Sequence, residues 1–394
     1  MHKMIDSGIG WVGSIPNTWQ VGRIGGLYEE RNTKVSDEDY PPLSVTMNGV
    51  VKQLETAAKT DDHNNRKLVK VGDFAINSRS DRRGSCGISA LEGSVSLINT
   101  VLVPREEMVP AYYNYLFHTI EFADEFYRWG HGIVADLWTT RWQDMKSMKV
   151  PCPPIEEQSR IASYLDETCL AIDAAGGSLK KEVEALFRLR KATIFKSVTK
   201  GLNENAPMRD SGVRWIGRVP SSWTCAHLKY AVSLGHGSDP KTDGDIPVWG
   251  SGIEPFKTCG ERKSGPAVLL GRKGSLGNPQ FIEGDYWNVD TAFDAKAKST
   301  MLLRYFYYVA LSIDAGELST NTAKPSMTQA DWYGITIPYP SLAEQQHIVE
   351  FLDERCAAIE SIIEARTKQL ERLEDYRKAL IYAYVTGKKE VPAS

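Results

Sequence analysis

The sequence predicts an α+β chain built from two similar halves, each a mixed globular segment followed by one long helix, with the two helices packed on each other. Three observations carry this prediction. A stretch of helical period occurs twice, a short opening motif occurs twice, and the segments between them mix β-type runs with aromatic helical ones.

The first helical copy runs from Pro153 through Glu157-Gln158, Ile161, Leu165-Asp166-Glu167, Cys169 and Ala171-Ile172 to Arg190-Lys191-Ala192 and Val198-Thr199. The second runs from Pro340 through Glu344-Gln345, Ile348, Leu352-Asp353-Glu354, Cys356 and Ala358-Ile359 to Arg377-Lys378-Ala379 and Val385-Thr386. The offset is 187 residues at both ends (340 − 153 and 385 − 198). Ile161, Leu165, Cys169, Ile172, Leu179, Val183 and Leu186 form an apolar seam in the first copy. Ile348, Leu352, Cys356, Ile359, Ile363, Leu370, Leu373 and Leu380 do so in the second. Pro153-Pro154 and Pro340 stand where proline is tolerated at a helix start. A helix of about 45 residues is about 65 Å long, more than one small domain buries. Matched seams are most simply buried against each other; the alternative is two separate helical domains. Gly176-Gly177 predicts a bend or break in the first helix, since each interior glycine costs about 1 kcal/mol.

The opening motif Asp6-Ser7-Gly8-Ile9-Gly10-Trp11-Val12-Gly13-Ser14-Ile15-Pro16-Asn17-Thr18-Trp19 recurs as Asp210-Ser211-Gly212-Val213-Arg214-Trp215-Ile216-Gly217-Arg218-Val219-Pro220-Ser221-Ser222-Trp223. Its tryptophans are expected to pack the start of each globular unit. Between motif and helix, residues 25–150 read as strands at Lys67-Leu68-Val69-Lys70-Val71, Phe74-Ala75-Ile76 and Val95-Ser96-Leu97-Ile98, then one aromatic helix from Tyr112 to Trp129. Tyr112, Tyr115, Leu116, Ile120 and Ala123 are its predicted buried face. Residues 235–338 repeat the plan loosely, with a strand at Ala267-Val268-Leu269-Leu270 and an aromatic helix from Leu302 to Leu311. Both segments leave through a strand, Met148-Lys149-Val150 and Ile335-Thr336-Ile337. The resulting division is 1–152 and 210–339 for the globular segments, 153–200 and 340–388 for the helices, and 201–209 for a short polar linker.

At 394 residues, 42% hydrophobic and 25% charged, the chain has room for two or three ordinary domains. No apolar run reaches membrane-spanning length, and the first residues lack signal-peptide features. The six cysteines show no Cys-x-x-Cys, which argues against zinc or a disulfide framework and for a reducing, cytoplasmic setting. A net charge of −3 does not by itself point to nucleic acid, though charge can be segregated by region.

Two basic loops are the strongest functional candidates. Arg79, Arg82, Arg83 and Ser85 lie in a glycine-punctuated loop after the Phe74 strand; Arg272, Lys273 and Ser275 lie in its counterpart after the Ala267 strand. A cation, flanking glycines and a hydroxyl suit phosphate contact, with arginines long enough to reach base edges. Either loop alone is explained as a solvated turn; their recurrence at equivalent places favours binding. Asn321 and Lys324, in a polar turn-forming stretch, complete the candidate DNA-contacting set. The glycines of 271–277 fit neither a Walker loop nor a dinucleotide fingerprint. The seven histidines show no metal spacing. Glu156-Glu157 and Asp166-Glu167 read as carboxylates favouring a helix N-terminus rather than as an acid–base pair. No catalytic constellation emerges.

Together the paired openings Asp-Ser-Gly-x-x-Trp-x-Gly-x-x-Pro-x-x-Trp and the paired Pro-x-x-x-Glu-Gln-x-x-Ile-x-x-x-Leu-Asp-Glu helices resemble the specificity subunit of type I restriction-modification systems, over essentially the whole chain. The resemblance implies two target-recognition domains joined by an antiparallel coiled coil with an internal pseudo-twofold. It implies a non-catalytic chain that reads a bipartite double-stranded DNA target. Its expected partners are two methyltransferase subunits, which hold S-adenosylmethionine and methylate adenine N6, and ATP-driven restriction subunits; no cofactor is expected in this chain and no membrane. Asn278-Pro279-Gln280-Phe281 lacks the second proline of the amino-methyltransferase Asn-Pro-Pro-aromatic motif, so a self-contained enzyme is not expected. A coiled-coil scaffold with protein-binding ends is the competing reading.

Overall fold

The repeated stretches form two continuous helices, Ile155–Lys200 and Leu342–Val385. The computed structural model describes residues 3–55, 63–132, 138–314 and 326–392. It divides into two compact units, Met1–Ser178 with Gln369–Ser394 and Leu179–Lys368, so each long helix contributes one part to each unit.

Within each unit the helix segments run antiparallel. In the first, Arg377 pairs with Asp173 at 3.3 Å. In the second, Arg190 pairs with Glu360 at 3.0 Å and Arg366 with Glu182 at 3.1 Å. Arg190 and Arg377, and likewise Asp173 and Glu360, are equivalent positions of the repeat, so one ion pair is made twice. Ile161, Leu165, Cys169, Ile348, Leu352, Cys356, Ile359 and Ile363 are buried. Ile172, Leu179, Val183, Leu186, Leu370 and Leu373 are half-buried.

Gly176-Gly177 does not break the helix, contrary to the sequence expectation. The penalty of two glycines is small against the seam they sit in, and Gly176 faces Leu370 and Leu373, with room for a methyl group at 3.7 Å or more. Gly176→Ala and Gly177→Ala are each expected to stabilise the chain by about 1 kcal/mol, read as a higher urea midpoint.

In the first unit a four-stranded antiparallel sheet has the order Cys86–Ile88, Phe74–Asn77, Asn99–Pro104, Tyr28–Glu30. A three-stranded sheet (Gly93–Val95, Arg66–Val69, Lys34–Val35) and a hairpin of Leu43–Thr46 with Gly49–Lys52 complete it. In the second unit the corresponding sheet has the order Val232–His236, Ala292–Ala297, Ala267–Gly271, Gln280–Ile282. A second sheet there contains a parallel pair, Ile246–Trp249 with Asp285–Asn288. In both units the exit strand pairs with the strand after the opening motif: Lys149–Cys152 with Gln20–Arg23, and Thr336–Tyr339 with Thr224–His227.

The aromatic helix of the first unit is two helices, Pro110–Phe117 and Ile120–Arg128, rather than one. Thr119 caps the second by accepting from the Phe122 N–H, which stops the first and turns the face. Ile120 is therefore exposed, and Phe122 and Phe126 are the buried residues. Its counterpart is a single helix, Leu303–Ser312.

Each globular core is completed by both long helices. Ile161, Leu165 and Cys169 with Leu380, Tyr384 and Val385 close the first core. Ile348, Leu352 and Cys356 with Ile194 and Val198 close the second. The motif residues explain themselves here. The side chain of Gln158 accepts from the Val109 N–H (2.9 Å) and donates to the Pro153 carbonyl (2.8 Å). Gln345 repeats this with Leu302 (2.8 Å) and Pro340 (3.0 Å). Asp166 accepts from the Tyr115 hydroxyl at 2.7 Å and Asp353 from the Tyr308 hydroxyl. These aspartates lie beyond the first helical turn, so they anchor tyrosines and do not serve the helix dipole, as the sequence reading had it. Burial, then the Asp166 carboxylate, raises the Tyr115 hydroxyl well above its ordinary value. Tyr112 donates to the Val385 carbonyl (2.7 Å) and Tyr305 to that of Val198 (3.3 Å).

The opening tryptophans Trp19 and Trp223 are buried where a long helix ends. Gly201 (φ +70°) and Gly387 (φ +71°) terminate the two helices in the left-handed conformation. A Cβ on Gly201 would lie 3.1 Å from the Trp223 ring, and one on Gly387 2.3 Å from Pro16. Both helix ends thus meet the same Pro-x-x-Trp seat.

Candidate nucleic-acid interface

The loop after Phe74–Asn77 leaves the sheet through a single 3-10 turn, Ser80–Arg82, and returns at Cys86–Ile88. Asn77 steadies its start by accepting from the Arg79 N–H at 3.0 Å. The Asn77 N–H donates to the Ser85 carbonyl at 2.9 Å and closes it. Gly84 (φ +71°) supplies the left-handed residue, and nothing lies within 4 Å of where its Cβ would stand. The counterpart loop after Ala267–Gly271 has Gly274 at φ +82°. Cys86 and Leu276, the next aligned positions but one, are both buried. Each loop thus contains one left-handed glycine, but Gly84 stands just before its returning strand, whereas Gly274 stands just after its outgoing one.

Their cations are held by acids. Arg79 lies 3.1 Å and Arg82 3.7 Å from Asp81. Arg83 pairs with Asp124 at 2.8 Å and lies over the Tyr127 ring at 4.0 Å. Arg272 donates to the Asp290 carbonyl at 3.2 Å, and Lys273 reaches the Asp290 carboxylate at 3.1 Å. Such exposed pairs are worth about 0–1 kcal/mol, so a phosphate can replace the acid without large loss. Ser275 is exposed, whereas Ser85 is buried. Asn321 and Lys324 lie outside the described residues.

In the first unit the loop lines a cleft of about 510 Å³, with Asn77 and Asn99 also among its lining. Ser85, Arg82 and Arg83 line it, and the facing wall is the Leu43–Lys52 hairpin, including Met47. Arg66 also borders it, buried and donating to the Ser94 hydroxyl at 2.8 Å; burial lowers its guanidinium below the ordinary value, against the pull of Asp37. The hairpin was missed in the sequence although its signal was there. Asn48-Gly49 stands between the runs Leu43-Ser44-Val45-Thr46 and Val50-Val51, and Gly49 takes φ +93°. In the second unit the loop around Ile253 and Phe256 stands beside the basic loop: Ser251 Oγ lies 3.5 Å from the Cβ position of Gly274. Residues 250–256 carry no strand signal and offered nothing to read.

Among the described residues no group of three or more His, Cys, Asp or Glu could hold a metal ion, and no helix is long and apolar enough to cross a membrane.

Residues 236–372 match the family model described as the type I restriction modification DNA specificity domain. The chain is 23% identical to the type I restriction enzyme MjaVIII specificity subunit of Methanocaldococcus jannaschii, over 96% of its own length and 94% of that relative's. Among solved structures it is similar to a chain from "Structural basis underlying complex assembly and conformational transition of the type I R-M system". There the TM-score is 0.74 at 14% identity, covering 95% of this chain and 99% of the other. It is also similar to the HsdS subunit from Thermoanaerobacter tengcongensis, with TM-score 0.53 at 16% identity over 95% and 98% of the two chains.

Proposed function

We propose that this chain, a member of the family of type I restriction-modification specificity subunits, selects the DNA sequence at which its partner enzymes act, each globular segment reading one half of a split target. One observation carries the reading. Two globular segments of different sequence each carry a basic glycine loop after a sheet strand, and each holds the end of a long helix in the same Pro-x-x-Trp seat, as a reader of two unlike half-sites requires. Arg79, Arg82, Arg83, Arg272, Lys273 and Ser275 supply the contacts, with Asn321 and Lys324 as further candidates; Ser85 shapes the loop from within.

The chain itself performs no methyl transfer or cleavage. Two methyltransferase subunits dock on it and hold S-adenosylmethionine for adenine N6 methylation, while ATP serves the restriction subunits. The complex works on chromosomal DNA in the cytoplasm. The seam residues Ile161, Leu165, Ile172, Leu179, Val183, Leu186, Ile348, Leu352, Ile359, Ile363, Leu370 and Leu373 hold the scaffold these partners need.

Methylation sequencing of a host carrying the operon tests the reading. The expected result is one split adenine motif, and replacing residues 25–150 with those of a relative changes one half of it only. A contiguous palindromic motif would sink the proposal.

A further inference from the structure

Each unit carries large apolar side chains in open solvent beside its basic loop, and nothing in the fold accounts for them. Met47 is 70% exposed at the hairpin tip; Ile253 and Phe256 are 63% and 60% exposed in the second unit. The two tips are unrelated in sequence and in secondary structure, yet each adjoins the basic loop of its own unit. Gly49 at the end of the hairpin turn presses on Gly87, whose Cβ would fall 2.7 Å from the Gly49 Cα. Met47 therefore shares the cleft with Arg82 and Arg83. In the second unit Ser251 adjoins Gly274, and Gly250 adjoins Thr291, whose Oγ1 would be 2.9 Å from a Cβ there.

Neither tip is a loose end. Thr46 Oγ1 donates to the Gly49 carbonyl at 3.0 Å and accepts from the Asn48 N–H at 3.1 Å. The Phe256 N–H donates to the Val248 carbonyl at 3.1 Å, and the Lys257 ammonium lies 5.6 Å from the Phe256 ring. Each is a held apolar point flanked by cations. Cations alongside fit a polyanion, and the apolar group that a duplex offers in its major groove is the thymine C5 methyl.

We propose that Met47 in one unit, and Ile253 with Phe256 in the other, read thymine methyls in their half-sites while the neighbouring cations hold phosphates. This rests on the DNA-reading role proposed above. The occupant is a duplex in which the methyl buries against the tip, and one methyl group so buried is worth about a fourfold change in affinity.

The test uses the chain co-expressed with the methyltransferase subunits of its operon. Binding is measured to duplexes bearing the motif found by methylation sequencing, with each thymine in turn replaced by uracil, which removes only the methyl. At least one replacement in the first half-site is expected to weaken the wild-type complex about fourfold and to leave a Met47→Ala complex unaffected. Ile253→Ala/Phe256→Ala is expected to behave likewise for the other half. Met47→Leu, which keeps the apolar tip, is expected to retain the sensitivity. If every thymine-to-uracil change is silent, or equally large in Met47→Ala, the inference is overturned while the half-site reading stands. A brightening of 2-aminopurine placed at the site would also overturn it, since a tip that pries bases apart is a wedge and not a methyl reader. A wild-type complex that prefers no split target removes the functional proposal and this inference together.

Discussion

A complex assembled with an Arg82→Ala/Lys273→Ala chain is expected to bind its target about 10- to 100-fold more weakly than wild type, with the plot of log affinity against log salt shallower by about two. The magnitude follows from what the two side chains are. Both are exposed, both stand within two residues of a left-handed glycine, and both pair with surface carboxylates, Asp81 and Asp290. Each phosphate neutralised releases about 0.9 counterion on B-DNA, so two lost contacts appear directly in the slope. Titrations at several salt concentrations read it. The loss is expected to be uniform across target variants, because phosphate contacts position the duplex and carry no sequence. A steep loss at one base position, with an unchanged slope, would move these residues from the phosphates to the base edges.

Trp223→Ala is expected to destabilise the second unit by about 3–5 kcal/mol, the cost of emptying a large buried site. Trp223 is 1% exposed, belongs to the core that Ile194, Val198, Ile348 and Leu352 also join, and fills the seat against Gly201. The loss therefore falls on the junction of the globular core with both helices, beyond the turn that bears Trp223. Calorimetry should show a low-temperature transition absent from wild type. Trp19→Ala is expected to do the same for the first unit, through Pro16 and Gly387. A single undisturbed transition in either variant would mean that the seat contributes little.

The duplicated architecture was legible because it rests on identity at fixed offset, which needs no knowledge of how the elements pack. The long helices were legible for a related reason, since a seam sustained over many turns outweighs local exceptions. Gly176-Gly177 shows the limit of local propensity: its penalty is real, but the facing leucines decide the outcome. The split of the aromatic helix at Thr119 was readable in principle from a capping threonine, and was hidden by the aromatic run across it. The basic loops were found by residue type, but whether a cation is engaged depends on acids distant in sequence, as Asp124 is for Arg83. Ser85 and Ser275 look alike in sequence and differ in burial: Ser85 directly precedes the strand Cys86–Ile88 and its carbonyl accepts from the Asn77 N–H, while Ser275 lies in the loop ahead of Gln280–Ile282. The Met47 tip had an Asn-Gly signature; the Ile253 and Phe256 tip had none.

The matched glutamine clamps and tyrosine anchors carry a consequence for how such chains diversify. Gln158 and Asp166 offer an incoming domain the same sockets that Gln345 and Asp353 offer, at the same spacing along their own helix. A domain evolved on one socket set is therefore pre-adapted to the other. Shuffling within a single gene, with no new docking surface to invent, can rearrange which sequence is recognised first.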